Sequence, residues 1–149
     1  MECEVIFIIL SHANKQHIIC DLTEKLYTQG KRVILYSDSE RITGELDRLL
    51  WVWKQSSFIP HICLGELSTS LEEPVVITNG VVNNMDYDVL IQVTPAADHI
   101  RNQFALAIDF AEKYDTNALE SSRERYRRLQ REKVKLKSMQ AGEFMHAPV

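Results

Sequence analysis

Cysteine and glycine are scarce in this chain, and each scarcity removes a class of protein. The three cysteines, Cys3, Cys20 and Cys63, are odd in number, widely spaced and include no Cys-x-x-Cys pair. That pattern argues against a disulfide framework or a zinc ribbon and for reduced core thiols. Of the five glycines, none lies in the turn Ser11-His12-Ala13-Asn14 that follows the first apolar run. Without them the backbone lacks the close approach to a pyrophosphate that a dinucleotide site uses. Gly30-Lys31 does not replace that fingerprint, because it ends a helical pattern and does not begin one. Long apolar runs are missing too: none approaches the roughly 20 residues of a membrane span. The first run, Val5 to Leu10, is preceded by Glu2 and Glu4, where a secretory signal would carry basic residues. The expectation is a cytoplasmic protein that does not enter membranes.

Catalytic and metal-binding patterns are equally thin. Ser11 lies near His12 and His17 but has no nucleophile-elbow context, and Gly-x-Ser-x-Gly occurs nowhere. His12 and His17, or His61 and Cys63, show no recognised ligand spacing. The acidic residues fall at no helical or strand interval that would nominate a carboxylate pair. No catalytic residue, metal or cofactor is therefore expected.

What remains is an ordinary globular composition carrying an unusual arrangement of charge. With 149 residues, 45% hydrophobic and 26% charged, the chain is of one-domain size and able to bury about two thirds of its unfolded surface. Val5-Ile6-Phe7-Ile8-Ile9-Leu10 is continuously apolar, the mark of a strand covered on both faces. Residues 16 to 29 follow at helical spacing and stop at Gly30. Val33 to Tyr36 form a second strand, Asp38 and Ser39 supply capping side chains, and residues 40 to 51 are an amphipathic helix. This β-α-β-α alternation predicts an α/β domain with a largely parallel central sheet flanked by helices.

His61 to Leu64 fit a short edge strand. Gly65 to Glu73 read as a polar, mobile loop, Pro74 to Thr78 as a strand, and Asp88 to Val93 as a buried strand. Val81 to Tyr87 are ambiguous. Residues 103 to 111 fit helix or strand, and we favour the strand because Phe104, Leu106, Ile108 and Phe110 alternate onto one face. Asp115-Thr116-Asn117 would cap a final helix, leaving residues 1–141 as one α/β domain and residues 142–149 as a frayed tail.

That final helix stands apart. Residues 123 to 137 hold eight Lys/Arg against two Glu, whereas residues 1 to 122 hold nine against eighteen acidic residues. Leu119, Tyr126, Leu129 and Leu136 mark one apolar stripe at helical spacing. Arg123 and Arg127 are a turn apart with Tyr126 beside them, a constellation suited to a carboxylate next to an apolar group. A solvated helix laced with salt bridges, in which Glu124 and Glu132 serve Arg128, accounts for the same pattern. The second conspicuous feature is Trp51, Trp53 and Phe58, large aromatics in a segment that Ser56-Ser57 and Pro60 mark as a loop. Aromatics and arginine are the residue types that dominate protein interfaces.

Gly30-Lys31-Arg32-Val33, Leu46-Asp47-Arg48-Leu49-Leu50-Trp51, Ser57-Phe58-Ile59-Pro60-His61, Gly65-Glu66, Asp88-Val89-Leu90-Ile91 and Arg123-Glu124-Arg125-Tyr126-Arg127 run in one order across most of the chain. In this the sequence resembles the chi subunit of bacterial DNA polymerase III holoenzyme. The resemblance implies a Rossmann-like α/β domain without enzymatic activity. It further implies that Arg123, Tyr126 and Arg127 bind the acidic C-terminal tail of single-stranded-DNA-binding protein. Trp51 and Phe58 would face the psi subunit of the clamp loader, so that DNA is engaged only indirectly. Leu119 departs from the family by standing where a basic residue can contribute, and Trp53 receives no role. Two other readings stay open: direct binding of single-stranded nucleic acid by the basic helix, and a nucleotide-binding Rossmann-like enzyme.

Overall fold

The first apolar run forms the strand around which the rest is built. In the computed structural model, which describes residues 2–54, 58–65, 71–80, 82–83 and 86–146, β1 (Glu4–Leu10) is followed by α1 (Lys15–Thr28), β2 (Val33–Tyr36), α2 (Glu40–Trp51), β3 (His61–Leu64), β4 (Val75–Thr78) and β5 (Val89–Gln92). The short α3 (Asp98–Arg101), β6 (Leu106–Glu112), α4 (Thr116–Arg131), β7 (Lys135–Gln140) and α5 (Ala141–His146) complete it. The strands make one seven-stranded sheet in the order β3-β4-β2-β5-β6-β1-β7. Every neighbouring pair is parallel.

Period-two alternation distributes β1 between two cores. Ile6, Ile8 and Leu10 meet Ile19, Leu22 and Leu26 of α1, Leu46 and Leu50 of α2, and Phe144 of α5 on one face. Val5 and Phe7 meet Ile100, Phe104 and Leu129 on the other. Local chemistry sets the helix ends. The Ser39 side chain accepts from the Ile42 amide at 3.3 Å and that of Asp115 from the Ala118 amide at 3.1 Å, each satisfying a donor the first turn leaves open. Gly30 follows α1 with φ at 80°, a conformation that costs a residue without Cβ little.

Several expectations are corrected. The final basic helix does not continue to Lys137: α4 stops at Arg131, Lys133 takes φ 61°, and residues 135–140 form β7 beside β1. Leu136 therefore leaves the helical stripe and packs from a strand onto the second core. The reason lies outside the segment. The free edge of β1 presents a row of amides and carbonyls that a strand satisfies and a helix does not. Nor is the chain frayed from Gly142, since residues 141–146 form α5 with Phe144 buried in the first core; residues 147–149 lie outside the described residues. Phe104 precedes β6 and joins the second core, while Ile108 and Phe110 join the first. Cys63 is exposed and not a core thiol, unlike Cys3 and Cys20; burial drives the Cys20 thiol up to about 12. The expectations for Ser56-Ser57, for most of the Gly65–Glu73 loop and for part of Val81–Tyr87 fall outside the described residues.

Two ion pairs fasten α4. Arg125 forks onto the buried Asp109 of β6, Nε to Oδ2 at 2.9 Å and Nη2 to Oδ1 at 3.0 Å. Arg128 forks onto Asp98 of α3 at 3.1 and 3.2 Å, and Arg101 Nη1 reaches the same carboxylate at 2.8 Å. Such paired contacts give orientation as well as attraction. Burial works to raise the Asp98 carboxyl, but the hydrogen bond from Arg128 and the charges of Arg101 and Arg128 outweigh it and hold the group below its ordinary 3.8.

A carboxyl held low in the folded state adds stability that is present above its unfolded value and lost as pH falls through the folded one. The stability gap between the native protein and Asp98→Asn should therefore be full at pH 7, begin to shrink near the free carboxyl's 3.8 and close only below the lower folded value, measured as urea midpoints across an acid series. Phe144→Ala should cost about 3–5 kcal/mol, the range for emptying a buried phenyl site, whereas His146→Ala at the exposed end of α5 should stay within about 0.5 kcal/mol. Denaturant unfolding of both variants checks the docking of α5.

Candidate functional site

α4 runs across the second face over β6, β1 and β7, and its inner stripe does not fill the space beneath it. Leu129 is buried there and Tyr126 lies edge-on to Phe7, ring centroids 5.2 Å apart at 67°. One turn earlier Ser122 and Leu119 are small or short, and a cavity of about 400 Å³ opens between the helix and the sheet. Its floor is Phe7, Ile9 and Ala111, its helix wall Leu119, Ser122, Arg123 and Tyr126, and its far side Ser138 and Gln140. Register explains the floor: Phe7 pairs with Ser138, and Ile9 with both Ala111 and Gln140. These residues point to the same side of three adjacent strands. Lys113, from the turn after β6, is the second cation lining the cavity.

The sequence-nominated residues divide. Arg123 and Tyr126 both line the cavity, and Arg127 stands outside it on the rim. The two arginines share one acidic neighbour: Glu120 Oε1 lies 3.1 Å from Arg127 Nη2, and Glu120 Oε2 lies 3.8 Å from Arg123 Nη1. All three side chains are more than half exposed, so the pairs are loose and easily exchanged for another carboxylate. Arg125 and Arg128 are occupied by Asp109 and Asp98, and Glu132 also reaches Arg128 at 3.2 Å. The eight cations of residues 123 to 137 thus do not form one patch. Ser138 and Gln140 line the groove and Leu136 packs on the second core beside it, whereas Lys135 and Lys137 point to the other side of β7, where both approach Glu4.

The aromatic segment also divides. Trp51 on the last turn of α2 is 53% exposed and Phe58 is 69% exposed, their ring centroids 6.0 Å apart. Trp51 rests on the His61 ring at 4.2 Å. That imidazole is held by the Ile59 carbonyl at 2.8 Å and the Asp47 carboxylate at 3.2 Å. With Val52, which is also exposed, they make an apolar patch of the kind that marks interaction surfaces. Trp53 turns the other way, packing on the first core and against His17 at 5.5 Å. It is half-buried against the domain and does not belong to the patch.

Sequence reasoning missed the groove floor and Lys113. The uninterrupted apolar run of β1 hides which face stays open. Lys113 carries a faint signal, as the first charged residue after a strand that leads into a helix. Where β1 and β6 send the chain to opposite faces, parallel sheets commonly hold ligands in the crevice beyond their strand ends. Here Lys15 reaches across, donating to the Val93 carbonyl at 2.6 Å and pairing with Glu112 at 3.2 Å, and leaves a pocket of about 190 Å³. Among the described residues no group of three or more His, Cys, Asp or Glu is placed to hold a metal. None of their helices is long and apolar enough to cross a membrane.

Comparison with known proteins gives a consistent answer. The chain is similar to DNA polymerase III subunit chi of Haemophilus influenzae, 31% identical over 115 residues that cover 76% of this chain and 78% of that protein. It is 24% identical to the Escherichia coli subunit of the same name over 112 residues, 75% and 76% of the two chains. With that of Pseudomonas aeruginosa it shares 35% over 77 residues, 52% of each. The family model for the DNA polymerase III chi subunit, HolC, matches residues 2–137, which include the aromatic patch and all of the groove lining except Ser138 and Gln140. The chain therefore belongs to the DNA polymerase III chi subunit family.

Proposed function

We propose that this protein is a non-catalytic adaptor of the replicative polymerase, working in the cytoplasm and joining two partners through two surfaces. The α4 groove takes the acidic C-terminal tail of single-stranded-DNA-binding protein. The Trp51/Phe58 patch takes the psi subunit and so links the tail to the clamp loader. The observation that carries the reading is the groove, an apolar-floored cavity with Arg123 on its wall and Arg127 on its rim. A free carboxylate beside an apolar side chain matches it: the guanidinium takes the charge while the side chain replaces water over Phe7, Ile9 and Tyr126. Glu120 holds both arginines loosely, keeping the forks near the groove until an incoming acid displaces it. The groove lies beside β1 and β7 and the patch beside β3, roughly 25 Å apart at the spacing of neighbouring strands, so both partners can be held at once.

Direct binding of single-stranded nucleic acid by the basic run has less support. Its cations are split between two faces of the sheet and two are tied to Asp98 and Asp109.

Titration with a tail peptide tests the reading. Arg123→Ala should weaken binding by about 1–3 kcal/mol, the range for a hydrogen bond to a charged group. A peptide lacking its last residue should bind far more weakly than the complete one. Binding should decline with added salt without vanishing, because the apolar anchor is not screened. Equal affinity for complete and truncated peptides would sink the mechanism.

A further inference from the structure

Resting on the tail-binding reading, we propose that Lys113 is the second anchor for the ligand's terminal carboxylate, so that the groove recognises the end of a polypeptide and not merely an acidic stretch. Two cations line the cavity, and they are not equivalent. Arg123 has Glu120 at 3.8 Å. Lys113 is exposed and has no acidic partner within ion-pair distance among the described residues. It is the uncommitted charge of the site.

Its backbone is fixed independently of α4. The Lys113 amide donates to the Leu10 carbonyl at 2.9 Å, continuing the ladder that pairs Leu10 with Glu112. The lysine thus projects from the C-terminal edge of the sheet, at the end of the groove where Leu119 and Gln140 also stand. Leu119 puts no charge there, and Lys113 supplies one from a different element. A carboxylate placed at that end sits between an ammonium from the sheet and a guanidinium from the helix, with Ile9 and Ala111 below for the side chain that bears it. Arg127, a turn further along α4 and outside the cavity, is left for an acidic side chain upstream of the end. Lys113 and Arg127 therefore read different parts of one peptide.

The experiment compares an acidic tail peptide ending in a free carboxylate with the same peptide ending in an amide, titrated into the full chain and three variants. The native protein should prefer the free acid by about tenfold or more, the scale of one charge-assisted hydrogen bond. Lys113→Ala should bind the free acid about tenfold more weakly and shrink the acid-to-amide ratio by the same factor, leaving only the share that Arg123 holds. Lys113→Arg should restore the preference. Arg127→Ala should weaken both peptides alike and leave their ratio unchanged. Thermal unfolding of each variant at native temperature shows that the exposed substitution has not disturbed the fold. If the native protein binds the acid but Lys113→Ala keeps the full acid-to-amide ratio, the assignment of Lys113 is wrong while tail binding stands. If the native protein binds neither peptide, both readings fall.

Discussion

β1 is apolar on both sides and hydrogen-bonded along both edges, to β6 on one and β7 on the other. That double demand organises the last third of the chain. A strand buried in this way needs two sheet neighbours and two covering layers, because unpaired amides and uncovered Val, Ile and Phe are each costly in water-free surroundings. α1 and α5 cover one face, and α4 covers the other. The chain must therefore return to β1 twice after β5. The crossing helix α4 is stretched over three adjacent strands by that route, and the groove lies in the part of its underside that small side chains leave unfilled.

α4 keeps its place through charge as much as through burial. Arg125 meets the buried Asp109 on β6 and Arg128 the exposed Asp98 on α3, while Arg123 and Arg127 share the exposed Glu120. The first two pairs are bidentate, so they fix the angle of the helix. The outer pairs are loose and contribute little to stability.

The C-terminal edge of the sheet lacks the glycine-rich turn with which parallel sheets hold a dinucleotide. Lys15 spans the crevice from α1 to the ends of β5 and β6, and the turn before it offers no glycines. Two further surfaces lie at the two ends of the sheet, one apolar and aromatic, the other apolar with cations around it. The seven-stranded sheet lies between them.

Sequence alone determined what short-range physics controls. The continuous apolar run gave β1, helical spacing with Gly30 and Ser39 gave α1 and α2, Asp115 gave the start of α4, and the one-turn interval of Arg123, Tyr126 and Arg127 made them neighbours. Those features depend on residues within a few positions of one another, which periodicity and capping encode. Tertiary structure decided the rest. Residues 135–140 carry a basic, weakly patterned segment that becomes a strand only against the open edge of β1. Residues 141–146 become a helix with Phe144 as its anchor beside the first core. The groove floor and Lys113 come from β1, β6 and β7 together, far apart along the chain, and only register brings them to one side of the sheet.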